Sequence, residues 1–336
     1  MTEALDAWLR ELPKAELHVH LEGTVTAAAL ARIAARNGMD LGSRDPFDCR
    51  DFASFLEAFV RAVRCLRRPQ DLAEIATDYL GRAAGQGIRH VEFMFSPASL
   101  RLFAPELDLE ATIREIYAAC CQAQSAVGVS ALLLLDLVRN LGEDAALQDL
   151  ALALRCRGLG VVGIGLGGDE RRFAAAGFAR VFDKARAAGL HRTVHAGEAA
   201  GPQSVVDAAT LLHAERIGHG VAAQGERAVL RMLKERGVAI DACLTSNFVT
   251  GAVPAREQHP LAEFIKSGII TTLSSDDPSF FHTSLVEEYA KAAAMGLRQL
   301  ELAQVARNGF AASFATPARK RVLVDELDAY VRRRPA

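Results

Sequence analysis

Eight short runs of strand-like residues recur along the chain, and most are followed by a segment with helical spacing. They are AELHVHLEG, IRHVEFMFSP, VSALLLLDLVR, LGVVGIGLGG, LHRTVHAGE, ERIGHG, GVAIDACL and GIITTLSS. Strands alternating with helices imply parallel strands joined by crossovers, so the choice lies between a closed barrel and an open doubly wound sheet. The count of eight favours the barrel, an α/β fold of the (β/α)8 TIM-barrel class. An open dinucleotide-binding sheet would need GxGxxG directly after its first strand. Here the nearest match, Gly163 to Gly168, follows the fourth run and leads into DERRF.

The runs are unevenly spaced. A stretch from about Thr24 to Gln86 separates the first from the second and carries AAALARIAARNG and FASFLEAFVRAVRCL, with apolar residues three and four apart. This predicts a helical insertion on the loop after strand one, at the barrel end where active sites form. Two readings stay open for it, a lid over the site or a packing elaboration. From Leu297 through Tyr330 the pattern is again helical, a C-terminal extension ending in Arg332, Arg333 and Arg334, which reads as a solvated terminus. Barrels of about 250 residues plus insertions remain one domain, so residues 1–336 are expected to form a single unit.

Composition excludes several partners. The 39 basic residues nearly balance the 41 acidic ones, a net charge of −2, and provide no field to attract nucleic acid or an anionic membrane. A small, near-neutral substrate is the simpler expectation. No apolar run approaches the roughly 18 residues of a membrane span, and MTEALDAWLRELPK lacks the order of a signal peptide, so a cytoplasmic protein is expected. The 6 cysteines show no CxxC spacing and read as small hydrophobes, without metal or disulfide. Oligomeric state is not legible.

The histidines carry the chemistry. Four of the 9 lie at or just after predicted strand ends. His18 and His20 alternate on one strand and so face the same way, half of a divalent metal site, although packed and hydrogen-bonded histidines give the same spacing. His195 ends the fifth strand, and Glu198 follows three residues later where the chain turns. His219 lies between glycines after the sixth. Asp276 and Asp277 follow the eighth, where adjacent carboxylates point to a cation or to several donors; a helix cap before a proline turn is the other reading. Taken together, three neutral imidazoles and a carboxylate at one barrel mouth suit a single Zn2+, which activates a bound water.

The sequence resembles the adenosine deaminase family of the amidohydrolase superfamily. The resemblance rests on KAELHVHLEG, HVEFMFSP, GLGGDE, TVHAGE, RIGHG and SSDDPSFF, in the family's order from about residue 13 to the C-terminus. It implies that His18, His20, His195 and Asp276 hold one zinc. It also implies that Glu198 donates a proton, that His219 orients the attacking hydroxide, and that Asp277 and Gly168 contact the purine. Glu198 would protonate purine N1 as water adds to the ring carbon, which spares the transition state the charge of an unprotonated adduct. Gly168 would offer its N–H to purine N3, and Asp277 would have to be protonated to donate to N7.

Three departures from the family bear on the substrate. Glu22 stands where nucleoside-specific members usually place Asp against the ribose 5′ hydroxyl. Gly165 stands where many members have Asp, which leaves that strand end without a carboxylate. FMFSPASL and GLGGDE differ from the segments of members acting on free adenine. The resemblance thus implies hydrolytic deamination of a 6-aminopurine nucleoside, adenosine or a 5′-modified analogue such as aminodeoxyfutalosine, with adenine as the alternative. Arg61 and Arg101 are candidate partners for an acidic 5′ extension. A general zinc hydrolase of amides or phosphoesters and a noncatalytic nucleoside-binding relative are the competing readings; the mouth positions offer no bridging lysine for a second metal, and binding alone needs no proton donor.

Overall fold

The computed structural model describes residues 3–42, 45–254 and 259–334, the side chain of residue 52 excepted. Among them are eight strands: β1 (Lys14–His20), β2 (Ile88–Phe95), β3 (Ser130–Val138), β4 (Val161–Gly167), β5 (His191–Ala196), β6 (Arg216–His219), β7 (Ala239–Ala242) and β8 (Thr271–Leu273). They pair in parallel in chain order, as expected for a (β/α)8 barrel. Every one of the eight predicted runs contains a strand.

Closure between β8 and β1 is made by the chain just past β8. Asp276 N–H donates to the His18 carbonyl (3.1 Å), and His20 N–H donates to the Asp276 carbonyl (2.9 Å). The hydroxyl of Ser274 accepts from the His18 N–H at 3.1 Å. The segment that zips the barrel shut therefore also delivers Asp276 beside the two histidines of β1.

The pairing of β1 with β2 slips between Glu16 and Val19. Such a bulge breaks the simple alternation of faces. Glu16, two residues before His18, accordingly bonds Tyr79 and Ser275 and stays away from the histidine cluster.

Below the mouth the barrel interior is polar. Arg216 of β6 meets Glu92 of β2 at 2.7 Å and Asp241 of β7 at 3.1 Å, and its guanidinium stacks 3.9 Å over the Phe314 ring. All three charged groups are buried, so each satisfies the others where water does not reach.

The segment after β1 contains helices Ala27–Arg36, Phe52–Cys65 and Pro69–Ala84. Thr26 and Asp51 cap the first two, each accepting a backbone N–H three residues on. The third buries Leu72, Ile75, Tyr79 and Leu80 and packs on β2 and on helix Leu109–Val127, so it is the barrel's own crossover helix. The insertion proper is thus confined to the first two. The C-terminal tail forms helices Gln299–Ala312 and Pro317–Arg333. Of these, Gln299–Ala312 packs on both β8 and β1 and covers the closing seam. No helix among the described residues is long and apolar enough to cross a membrane.

Candidate metal centre and active site

His18 and His20 project from the end of β1, His195 from β5, and Asp276 from the turn after β8. One ligand atom from each lies within 4.8 Å of all the others. His20 Nε2 is 3.2 Å from His195 Nε2 and 3.3 Å from Asp276 Oδ1, and His18 Nε2 is 3.4 Å from the same oxygen. Four ligands bonded tetrahedrally at about 2.0–2.1 Å to a small divalent cation stand about 3.3–3.4 Å apart. Both ring nitrogens of His18 are buried without a hydrogen-bond partner. Burial disfavours charge on His20, yet Asp277, Asp276 and Asp136 hold its pKa up at about 10, so the surroundings favour a cation. The donor set therefore fits a metal ion.

Local packing aims these rings. Gly218 of β6 leaves the space that the His18 imidazole fills, since a Cβ there would overlap the ring. That is the close approach expected of the RIGHG glycines, made by a histidine. His195 Nδ1 lies 3.1 Å from the Leu166 carbonyl, and a proton held there leaves Nε2 free to ligate. Asp276 adopts a left-handed backbone, φ 66°, a strained geometry common at functional sites.

Glu198 and His219 stand on one side of this group. Glu198 Oε2 is 3.7 Å from His219 Nε2, and the same nitrogen is 4.0 Å from Asp276 Oδ2. Burial, reinforced by the charges of Asp276 and Glu170, raises the Glu198 carboxyl to about 8. Burial lowers His219 to about 3. At neutral pH the pair is thus a protonated acid beside a neutral imidazole, an arrangement suited to donating a proton to a substrate.

Asp277 and Glu22 lie close together beside the same cluster. Burial raises both carboxyls, and the neighbouring Asp276 and Glu198 raise Asp277 further, which favours its neutral form. Asp277 Oδ1 and Glu22 Oε2 are buried without partners, whereas Glu22 Oε1 accepts from Ser96 N–H at 3.0 Å. Glu22 lies past the strand end, in a short 3-10 turn at Glu22–Thr24. Gly168 has φ 97°, and a Cβ would meet Asn140 Oδ1 at 2.5 Å, so its backbone is fitted against the loop after β3.

Three residues in this region had no role in the sequence reading. Asp136 of β3 pairs in register with Gly165 of β4, and any Cβ at Gly165 would overlap its carboxylate. Asp136 Oδ2 stands 4.0 Å from His20 Nδ1. The carboxylate absent from the end of β4 is therefore supplied from the adjacent strand, a substitution visible only once the register is known. Glu170, inside the GLGGDE motif, accepts from the N–H groups of Gly197 (2.5 Å), Glu198 (3.0 Å), Ala199 (2.7 Å) and Ala200 (3.0 Å). It fixes the loop that carries Glu198. Buried Arg139 donates to the carbonyls of His195 and Phe173.

The insertion docks beside the site through aromatic rings. Phe55 meets Phe281 at 4.9 Å, and Phe55 and Phe59 each meet Phe280 at 5.8 Å. Phe280 and Phe281 both donate backbone N–H to the Asp277 carbonyl at 3.0 Å. Arg101 pairs with buried Asp149 instead of facing the site, while Arg61 of the insertion has a buried Nε without a partner. All six cysteines are free. Cys243 lies within reach of His219 and Asp276, but burial pushes its thiol well up and leaves it a poor ligand. A cleft of about 710 Å3, lined by His191, Glu215, Phe314 and Lys320, opens at the opposite end of the barrel.

An eight-stranded parallel barrel with three imidazoles and a carboxylate converging at the C-terminal strand ends, and a carboxyl beside them, defines a barrel hydrolase with a site suited to a metal ion. More narrowly, the chain belongs to the adenosine deaminase family, which it matches over residues 13–330. It is 37% identical over 335 residues to the aminodeoxyfutalosine deaminase of Streptomyces coelicolor, covering 97% of this chain and 86% of that protein. To the adenine deaminase of Rhodospirillum rubrum it is 36% identical over 321 residues, covering 94% and 95%. The structure of a zinc-bound amidohydrolase from Burkholderia ambifaria superposes with a TM-score of 0.90 at 25% identity, covering 99% of this chain and 95% of that one.

Proposed function

We propose that this enzyme hydrolyses the exocyclic amine of a 6-aminopurine nucleoside to the 6-oxo product and ammonia, with one zinc held by His18, His20, His195 and Asp276. The observation that carries the reading is the pair at the cluster's edge, Glu198 held protonated up to about 8 and facing His219. Binding alone has no use for such an acid. The metal, when bound, supplies a water of lowered pKa as nucleophile. Glu198 gives its proton to the ring nitrogen as attack proceeds, then carries one to the departing amine. His219 orients the attacking oxygen. Asp277, kept protonated, donates to N7, and the backbone of Gly168 approaches N3.

Glu22 sets the region next to the purine. Its Oε2 is buried without a partner and is suited to exchange a hydrogen bond with a hydroxyl on the nucleoside's sugar. The names of the relatives span an extended nucleoside and a free base, and Glu22 favours the nucleoside for this chain. Ammonia release from adenosine, a 5′-deoxy analogue, aminodeoxyfutalosine and adenine, together with metal analysis, tests the reading. About one zinc per chain and turnover of a nucleoside are expected. Turnover of adenine alone would remove Glu22 from the substrate site, and hydrolysis of none of the four would overturn the proposal.

A further inference from the structure

Behind His219 a chain of hydrogen bonds leads away from the metal cluster to the backbone. Asn247, in helix Leu244–Val249, places its Nδ2 3.0 Å from His219 Nδ1. On its other side Asn247 Oδ1 lies 3.0 Å from His259 Nε2, and His259 Nδ1 accepts the Leu261 backbone N–H at 3.2 Å. His219, Asn247 and His259 are all at least 97% buried, with exposures of 1%, 0% and 3%, and buried polar groups of this kind are paired with protein partners.

The direction of every bond follows from the last one. A backbone amide is always a donor, so His259 Nδ1 must be the bare acceptor nitrogen and its proton sits on Nε2. That N–H requires the oxygen end of the Asn247 amide. The NH2 end then faces His219 Nδ1, which must accept. Turning the amide over would set two donors against each other at His259 and, with His219 Nδ1 bare, two acceptors at His219. The single proton of neutral His219 is left on Nε2, the nitrogen facing Glu198 and Asp276.

We infer that Asn247 and His259 are positioning residues that lock His219 in its Nε2–H form, so that it meets the attacking oxygen as a hydrogen-bond donor and not as a base. Accepting the water's proton is closed to it, because the facing nitrogen already carries one and the other is engaged by Asn247. The inference rests on the deaminase reading for its catalytic consequence, but the tautomer itself does not.

The test reads both. In zinc-loaded protein labelled with 15N-histidine, two-bond proton–nitrogen NMR at neutral pH, with His219→Gln for assignment, should show His219 and His259 each protonated at Nε2. Asn247→Asp replaces the donor with an acceptor and should draw the His219 proton to Nδ1. The kcat for the best aminopurine should then fall about 10²–10⁴-fold, the scale set by a catalytic histidine held in the wrong tautomer, with zinc content and KM little changed. His259→Ala frees the Asn247 amide and should cost about 10-fold in kcat, whereas His259→Gln, which can restore an N–H donor, should recover most of it. If Asn247→Asp does not fold, the His259 pair decides. An Nδ1–H signal for His219 in the unaltered protein overturns the inference. So does a flipped tautomer with kcat within about threefold, or equal loss in His259→Ala and His259→Gln. Failure of the unaltered protein to release ammonia from any aminopurine would sink the deaminase reading and leave the tautomer measurement standing.

Discussion

Glu198 is the residue whose environment differs most usefully from that of a surface carboxylate. Burial holds its proton up to about 8, so the acid form needed for donation prevails at neutral pH and is lost as pH rises. A cation on Asp276 removes the second cause of the shift but not the first, so kcat/KM should fall along a limb centred at or below about pH 8. Glu198→Gln should lower kcat by about 10²–10⁴ with zinc retained, and should flatten that limb. A variant with near-normal turnover, or one that keeps the limb, would assign the proton elsewhere. Asp136 acts one step further out, on the far nitrogen of His20. Asp136→Asn should weaken metal affinity by about 10–100-fold, read by chelator competition. Unchanged affinity would show that the carboxylate merely fills the space above Gly165.

Among the elements, the insertion helix Phe52–Cys65 poses the question that the amphipathic pattern left open. Its rings pack on Phe280 and Phe281, whose backbone N–H groups donate to Asp277, so the helix contacts the residues that hold one side of the site. Phe55→Ala should cost about 1–3 kcal/mol of local stability through lost ring contacts. If the insertion covers the substrate, KM should rise several-fold while kcat and zinc content hold. A change in melting temperature with unaltered KM would make it a packing elaboration. The loop Gly197–Ala200 offers a second element-scale comparison. Its four N–H groups converge on Glu170 alone, and Glu170→Gln should depress kcat without removing the metal, because the residue anchors Glu198 and touches no ligand side chain.

For the whole molecule, the proposed metal site links metal binding to barrel closure, since its ligands would come from β1, β5 and the segment past β8 that pairs with β1. The melting temperature should therefore rise with free zinc, by the equivalent of about 2.7 kcal/mol at one hundred times the dissociation constant. His195→Ala should abolish that dependence; a variant that still gained would place the metal elsewhere. Beneath the site, Arg216→Ala leaves Glu92 and Asp241 buried without their partner and should cost about 3–5 kcal/mol in denaturant unfolding. Much of this architecture was legible beforehand. Strand positions, the helical insertion and the histidines and carboxylates at strand ends are local patterns, set by period, by turn residues and by the chemistry of side chains within a few positions of one another. Asp136 of β3 facing His20 of β1, Glu170 clamping the loop of Glu198, and His259 reaching His219 through Asn247 join residues 12 to 116 positions apart. No spacing rule connects such pairs. They depend on strand register, on the slip in β1 and on which buried donor finds which acceptor, and those are decided only when the barrel closes and water is excluded.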